Sequence, residues 1–177
     1  MAPPAPLLKR SVRVDHVSAE THAALAARDV DRAAALTGRA IPAWLVSDEC
    51  VGTWQRRATQ VLTDTAALAW VTGLLVDATT DLVVGKAGFH GPPDAAGMVE
   101  VGYAVDPAYR RRGYAHATVA ALLTRARAEP AVRVVRASIA PTNVASQATI
   151  APFGFVVVGE QWDDEDGLEI VHELRVA

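Results

Sequence analysis

MVEVGYAVDPAYRRRGYAHATVAALLTRA, residues Met98 to Ala126, decides how the rest of the chain is read. Its first part, Met98 to Val105, is a buried strand. Asp106 to Arg112 is a Pro-marked loop, and a helix opens near Gly113. Ala115, Val119, Leu122, Leu123 and Ala126 follow helical spacing, so this helix has one core face. Between strand and helix stand Arg110, Arg111, Arg112 and Gly113. A glycine-bearing loop feeding a helix N-terminus offers unpaired backbone N–H groups and the positive end of the dipole. That combination is an anion site, and phosphate is its usual occupant.

Neither GxGxxG nor GxxxxGK[ST] is present in the loop. Arg110-Arg111-Arg112-Gly113-Tyr114-Ala115 instead resembles the [Q/R]-x-x-G-x-[G/A] pyrophosphate loop of the GNAT superfamily, the N-acetyltransferases that bind acetyl-CoA. A solvated surface loop accounts for the three arginines but not for the Gly113/Ala115 spacing at a helix entrance.

With 177 residues the chain fits a single domain with a real core. Apolar residues make up 51% and charged residues 21%, a globular balance rather than a disordered one. Net charge is −3, which argues against a general nucleic-acid binder and makes the arginine run a local device. The single cysteine, Cys50, excludes an internal disulfide framework and a cysteine-rich zinc site, and no metal is expected. The start, MAPPAPLLKRSV, lacks the apolar core of a signal peptide, and no apolar run is long enough for a membrane helix. The expectation is a soluble, cytoplasmic protein.

Residues 1 to about 7 form a Pro/Ala-rich tail expected to fray. Ser11 to Val17 alternates as a first strand, Ser18 caps a helix to about Ala27, and Asp29 to Leu36 is a second helix stopped near Gly38. Pro42 to Trp44 is a connector, and Asp48 caps a third helix towards Leu62. Ala67 to Asp77 and Leu82 to Phe89 read as a hairpin across Ala78-Thr79-Thr80-Asp81. Beyond the opening stretch come a strand (Val132 to Ile139), a short helix (Asn143 to Ala151) and two strands (Phe155 to Gln161, Leu168 to Arg175). This order is similar to that of the GNAT fold. The expected fold class is therefore α/β, with a mixed, mostly antiparallel sheet of about seven strands flanked by about four to five helices.

Further motifs carry the resemblance. Val99-Glu100-Val101-Gly102-Tyr103 resembles the E-[IV]-G-Y strand of the branch that includes the ribosomal-protein N-terminal acetyltransferases. Gly88-Phe89-His90-Gly91-Pro92-Pro93 resembles its G-x-x-G-x-P lead-in, and Asn143-x-x-Ser146 with Gly154-Phe155 its N-x-[A/S]-S and G-F elements. The resemblance implies acetyl-CoA as cofactor. Backbone groups of Tyr103, Ala104 and Val105 would hold the pantetheine. The loop Arg110, Arg111, Arg112, Gly113, Tyr114 and Ala115 would take the pyrophosphate, and Asn143 would bond the pantetheine arm. Many GNAT enzymes have a tyrosine four residues before the G-F glycine as acid for the departing thiolate. Here that position is Ile150, which leaves Ser146 as the nearest family-supported hydroxyl and Thr149 as a less favoured substitute.

Acetyl transfer to an amine needs a deprotonated nucleophile, a polarised carbonyl and a route for the thiolate proton. A lysine amine with pKa about 10.4 is neutral to about four parts in ten thousand at pH 7, an α-amine to about one part in ten. General-base assistance of roughly 10²–10⁴ therefore matters most for the first. Glu100, sharing a strand face with the small residues Gly102 and Ala104, is the candidate base, acting through water. His90 at the end of the neighbouring strand is the alternative base. His116 is expected at a phosphate or in solvent. Trp44, Trp54, Trp70 and Trp162 read as core residues, with Trp44 or Trp54 a candidate substrate contact, and Cys50 as a buried small hydrophobe. The acidic run Asp163-Asp164-Glu165-Asp166 is either an ordinary turn or an anionic flank of the acceptor cleft.

The reading is a single-domain acetyl-CoA-dependent N-acetyltransferase, monomer or homodimer, acting on a small-molecule or peptide amine, with no nucleic acid or membrane as partner. Its rival is a GNAT-fold domain that binds acyl-CoA without turnover, as a sensor or interaction module.

Overall fold

The computed structural model describes residues 10–164 and 167–176. The expected tail, residues 1 to about 7, and Glu165 and Asp166 of the acidic run lie outside the described residues. Strand β1 (Val12–Asp15) is followed by helices α1 (Ala19–Ala26), α2 (Val30–Thr37) and α3 (Asp48–Thr63). Three strands follow, β2 (Gly73–Asp77), β3 (Val83–Phe89) and β4 (Met98–Val105). Then come α4 (Tyr114–Ala128), β5 (Val134–Ile139), α5 (Val144–Ile150), β6 (Val156–Asp163) and β7 (Gly167–Arg175). Together the strands form one seven-stranded sheet in the order β1-β2-β3-β4-β5-β7-β6, antiparallel except where β4 meets β5.

Local chemistry sets the helix starts. Ser18 and Asp29 each accept a hydrogen bond from the first turn of the helix they precede. The hairpin was expected from Ala67, but β2 begins only at Gly73. Asp64 instead accepts from the Ala66 N–H and starts a 3-10 turn over Thr65–Ala69, which turns this alanine-rich stretch away from the sheet.

Side-chain alternation divides the core into two layers. Leu74, Val76 and Val83 pack beneath α1, α2 and α3 against Leu25, Ala33, Cys50 and Trp54. Phe89, Val99, Val101 and Val135 pack on the other face against Val119, Leu122 and Leu123 of α4 and Ile150 of α5. Glu100, Gly102 and Ala104 alternate with the second set and so face the α3 side. Val156, Val157 and Val158 lie exposed on β6, the edge strand.

Candidate functional site

β4 and β5 pair in parallel only from Met98↔Val134 to Glu100↔Arg136 and then separate. On its other side β4 stays paired to β3 through Val105. The strands thus splay apart, and backbone groups of β4 beyond Glu100 face an opening instead of β5. A cavity of about 280 Å³ fills the gap, walled by Gly102 and Tyr103 of β4, Ala137 to Ile139 of β5, and Asn143 and Ser146. Two larger cavities meet it from opposite faces of the sheet.

The cavity on the α4/α5 side, about 530 Å³, is lined by Tyr103, Ala104, Val105, Arg110, Arg111, Gly113, Tyr114, Ala115, His116, Asn143, Ser146 and Thr149. Nearly all the residues expected around the cofactor are brought together here, with Arg112 as the exception. The Arg112 guanidinium lies over the Tyr109 ring and its carbonyl accepts from Arg10 Nε at 3.3 Å. Gly113 caps α4 at φ +87°, and Arg111 also has positive φ, so the loop backbone coils tightly before the helix. Such a coil directs successive N–H groups at one point, and a glycine supplies it without strain. Arg110 is tied to the protein at this cavity: its Nε donates to the Val105 carbonyl at 3.0 Å and its Nη2 lies 3.7 Å from Glu49.

Tyr114 anchors this helix entrance. Its hydroxyl donates to Asp77 Oδ2 at 2.5 Å, tying α4 to the end of β2. That bond, with the Thr79 and Thr80 N–H groups, holds the buried Asp77 carboxyl below its ordinary pKa. At α5, the Asn143 side-chain oxygen accepts from the Ser146 N–H at 3.1 Å, leaving the carboxamide NH₂ as the donor available to a ligand. His116 lies against Phe153, ring centroids 4.7 Å apart, and lines the same cavity.

Ile150 is buried in the core, as a residue with no proton to give. Its neighbourhood nevertheless holds a phenol. Tyr103, on the α4/α5 face of β4, has a buried hydroxyl that makes no hydrogen bond among the described residues. Burial raises its pKa, and the nearby Ser146 and Thr149 hydroxyls moderate that rise without reaching hydrogen-bonding geometry. Sequence reasoning used only the Tyr103 backbone. A side chain opposite in face to Glu100 but beside the same gap emerges only once the strands are seen to part.

The cavity on the α3 side is the largest of these three, about 600 Å³. Glu100, Gly102 and Ala104 form its floor, with His90 and Lys86 opposite them on the β3 side. A Cβ on Gly102 would lie 2.9 Å from His90 Nε2, so the glycine makes room for the imidazole. His90 Nδ1 and Glu100 Oε2 are 3.9 Å apart. Partial burial lowers the His90 pKa; Glu100 raises it, while Arg57 and Arg56 lower it, and the net shift favours the neutral ring. Arg56, Arg57 and Thr53 of α3 complete one wall, and Gln161 to Asp164 with Glu169 the other.

Two expectations need correction. Trp44 and Trp54 are not at the cleft: Trp54 is fully buried and donates to the Leu45 carbonyl, and Trp44 donates to Glu49. Trp162, expected in the core, is 75% exposed and lines the cleft instead. It lies on an edge strand whose outer residues have no layer above them. Cys50 is buried, which pushes its thiol pKa up, consistent with a packing role. Lys86 carried a readable signal, a lone charge in the apolar strand Val83–Phe89; it is nearly buried and donates to Thr53 Oγ1 at 2.5 Å. Among the described residues no group of three His, Cys, Asp or Glu side chains is placed to hold a metal, and no helix is long and apolar enough to cross a membrane.

Residues 11–156 match the sequence profile of the family described as "Acetyltransferase (GNAT) domain". The chain is 35% identical over 75 residues to "Uncharacterized N-acetyltransferase YjdG" of Bacillus subtilis (strain 168); the match spans 42% of this chain and 45% of that protein. Among solved structures, a putative ribosomal-protein-serine acetyltransferase from Vibrio cholerae has a TM-score of 0.62 at 16% identity, over 99% of both chains. The putative acetyltransferase yncA from Salmonella typhimurium, solved with its cofactor acetyl-CoA, has a TM-score of 0.59 at 18% identity, over 96% of this chain and 95% of that one. At these identities the structural likeness speaks for the fold alone.

Proposed function

The chain belongs to the GNAT acetyltransferase family, and from that premise we propose that it is an N-acetyltransferase moving acetyl from acetyl-CoA directly onto a primary amine. The observation that carries this reading is the splay of β4 from β5 after Glu100, where a cavity walled by phosphate-loop residues meets one walled by proton acceptors.

Acetyl-CoA, when bound, supplies an acetyl thioester. The coiled loop at Arg111, Gly113, Tyr114 and Ala115 suits its pyrophosphate, since N–H groups and the helix dipole favour an anion there. The Asn143 carboxamide and the β4 backbone at Tyr103 to Val105 hold the pantetheine arm. Glu100 removes the amine proton through water, with the neutral His90 ring beside it as a second acceptor. Ser146 donates a proton to the departing sulfur, and the Tyr103 hydroxyl lies behind it as a reserve donor.

A non-catalytic acyl-CoA sensor is the rival that Ile150 suggests. The unbonded Tyr103 hydroxyl beside Ser146 weighs against it, because the gap still holds protons to give. Thiol release from acetyl-CoA with a panel of amines, measured alongside CoA binding by calorimetry, separates the two. Binding without thiol release from any amine overturns the transferase reading.

A further inference from the structure

The acceptor cavity is lined by both signs of charge. Arg56, Arg57 and Lys86 stand on the wall made by α3 and β3. Glu100, Asp163, Asp164 and Glu169 stand on the side made by β4, β6 and β7. Proton abstraction from an amine accounts for the acidic side. It does not account for Arg57, whose positive charge opposes the approach of an ammonium group.

Arg57 is the informative one. Its Nη1 donates to Gln60 Oε1 at 2.8 Å and to the His90 carbonyl at 3.0 Å, both uncharged acceptors. Its Nε is buried, and among the described residues it has no hydrogen-bond partner and no carboxylate is in ion-pair contact with the guanidinium. Burial, then the adjacent Arg56 charge, pushes its pKa down to about 10, with Glu100 acting in the opposite sense. A half-buried guanidinium with no carboxylate against it is a seat for an anion, which would relieve part of its desolvation cost. Its fork also matches carboxylate and phosphate oxygens.

We propose that the acceptor is a small zwitterion whose carboxylate or phosphate seats on Arg57 while its amine faces Glu100 and His90. This deepens, and rests on, the amine-transfer reading above. The spacing is part of the argument. Arg57 is bonded to the His90 carbonyl, and His90 faces Glu100 at 3.9 Å, so the anion site and the proton acceptors share one corner of the cavity. An amine and an anion separated by a few bonds, as in an α-amino acid, fit that corner. A protein N-terminus fits it less well, because its nearest carboxyl is tied up in a peptide bond.

The test is calorimetry on the CoA-loaded full chain, titrated with the protein amino acids, their α-carboxamides and 2-aminoethyl phosphate. The expected result is that at least one zwitterion binds about tenfold or more tightly than its uncharged-carboxyl counterpart, and that Arg57→Gln removes this margin. Arg57→Lys, which keeps the charge but loses the fork, should retain part of it and covers the case in which Arg57→Gln does not fold. Amino acids against 2-aminoethyl phosphate distinguishes a carboxylate from a phosphate. Equal binding of acids and amides, no binding by any zwitterion, or a margin that survives in Arg57→Gln overturns the proposal and means the cavity's charges serve one another. Thiol release, measured separately, tests transfer: zwitterion binding without release would leave the anion site standing and remove the transferase reading.

Discussion

His90 Nδ1 and Glu100 Oε2 lie 3.9 Å apart, and the His90 N–H donates to the Glu100 carbonyl at 2.8 Å where the chain leaves β3 alongside β4. The side chains are close enough to feel each other's charge but too far apart for a hydrogen bond. Each is therefore free to face a substrate proton.

A pH dependence follows. Glu100 favours the charged imidazolium, so Glu100→Gln should lower the His90 pKa further. Neutral His90 is the useful form, and it is lost as pH falls through that pKa. The acidic limb of kcat/KM should thus move to lower pH in Glu100→Gln, while turnover near pH 7 drops by about 10²-fold. NMR titration of His90 and a pH–rate profile check both parts. Unchanged turnover and profile would remove Glu100 from the chemistry.

At the phosphate loop the expectation rests on Gly113, whose φ of +87° suits glycine. Gly113→Asp adds both strain and a negative charge facing the proposed pyrophosphate site, and CoA affinity should fall by more than about 1 kcal/mol. Gly113→Ala adds only the strain, since a Cβ there meets nothing closer than Arg10 Cγ at 3.7 Å. It should retain most of the affinity. Calorimetry of the two folded variants distinguishes the charge effect from the backbone effect, and unchanged affinity in Gly113→Asp refutes the loop assignment.

How much of this was legible in the chain depended on range. The strand Met98–Val105 and the helix after Gly113 follow from periodicity and one glycine, and both appear where expected. The shared face of Glu100, Gly102 and Ala104 is a consequence of strand alternation alone. What alternation cannot carry is which helix covers that face. Arg57 enters the site because α3 crosses above β3, a contact between residues 33 positions apart in the chain. Trp162 was misread for a similar reason: its exposure depends on β6 being the sheet edge, and strand order is not written in any local pattern.

The proposed acid catalysis draws on two hydroxyls at the gap, Ser146 and Tyr103. Ser146→Ala should slow transfer more than it weakens acetyl-CoA binding. Tyr103→Phe removes a buried hydroxyl that makes no hydrogen bond among the described residues, so stability should hold or rise slightly. If the phenol is the reserve donor, the double variant should lose more rate than Ser146→Ala alone, and a double-mutant cycle measures that coupling. Full turnover in the double variant would mean that the thiolate leaves unassisted.

Asp163 and Asp164 extend the acidic side of the cavity beside the exposed Trp162. Charges placed at such a rim act over distance and are screened within about 8 Å at physiological ionic strength. They should attract a cationic amine, and that attraction should weaken with salt. A zwitterion has no net charge for the long-range field to act upon and feels the two walls only on arrival. Salt should therefore depress kcat/KM for a simple cationic amine and leave that for a zwitterion nearly flat. Changing Asp163 and Asp164 to Asn should raise KM for the cationic amine at low salt, with a smaller effect on the zwitterion and none on acetyl-CoA. Steady-state kinetics at two ionic strengths reads out all three. If the double variant matches wild type with every acceptor at low salt, these aspartates form a turn and do not steer the acceptor.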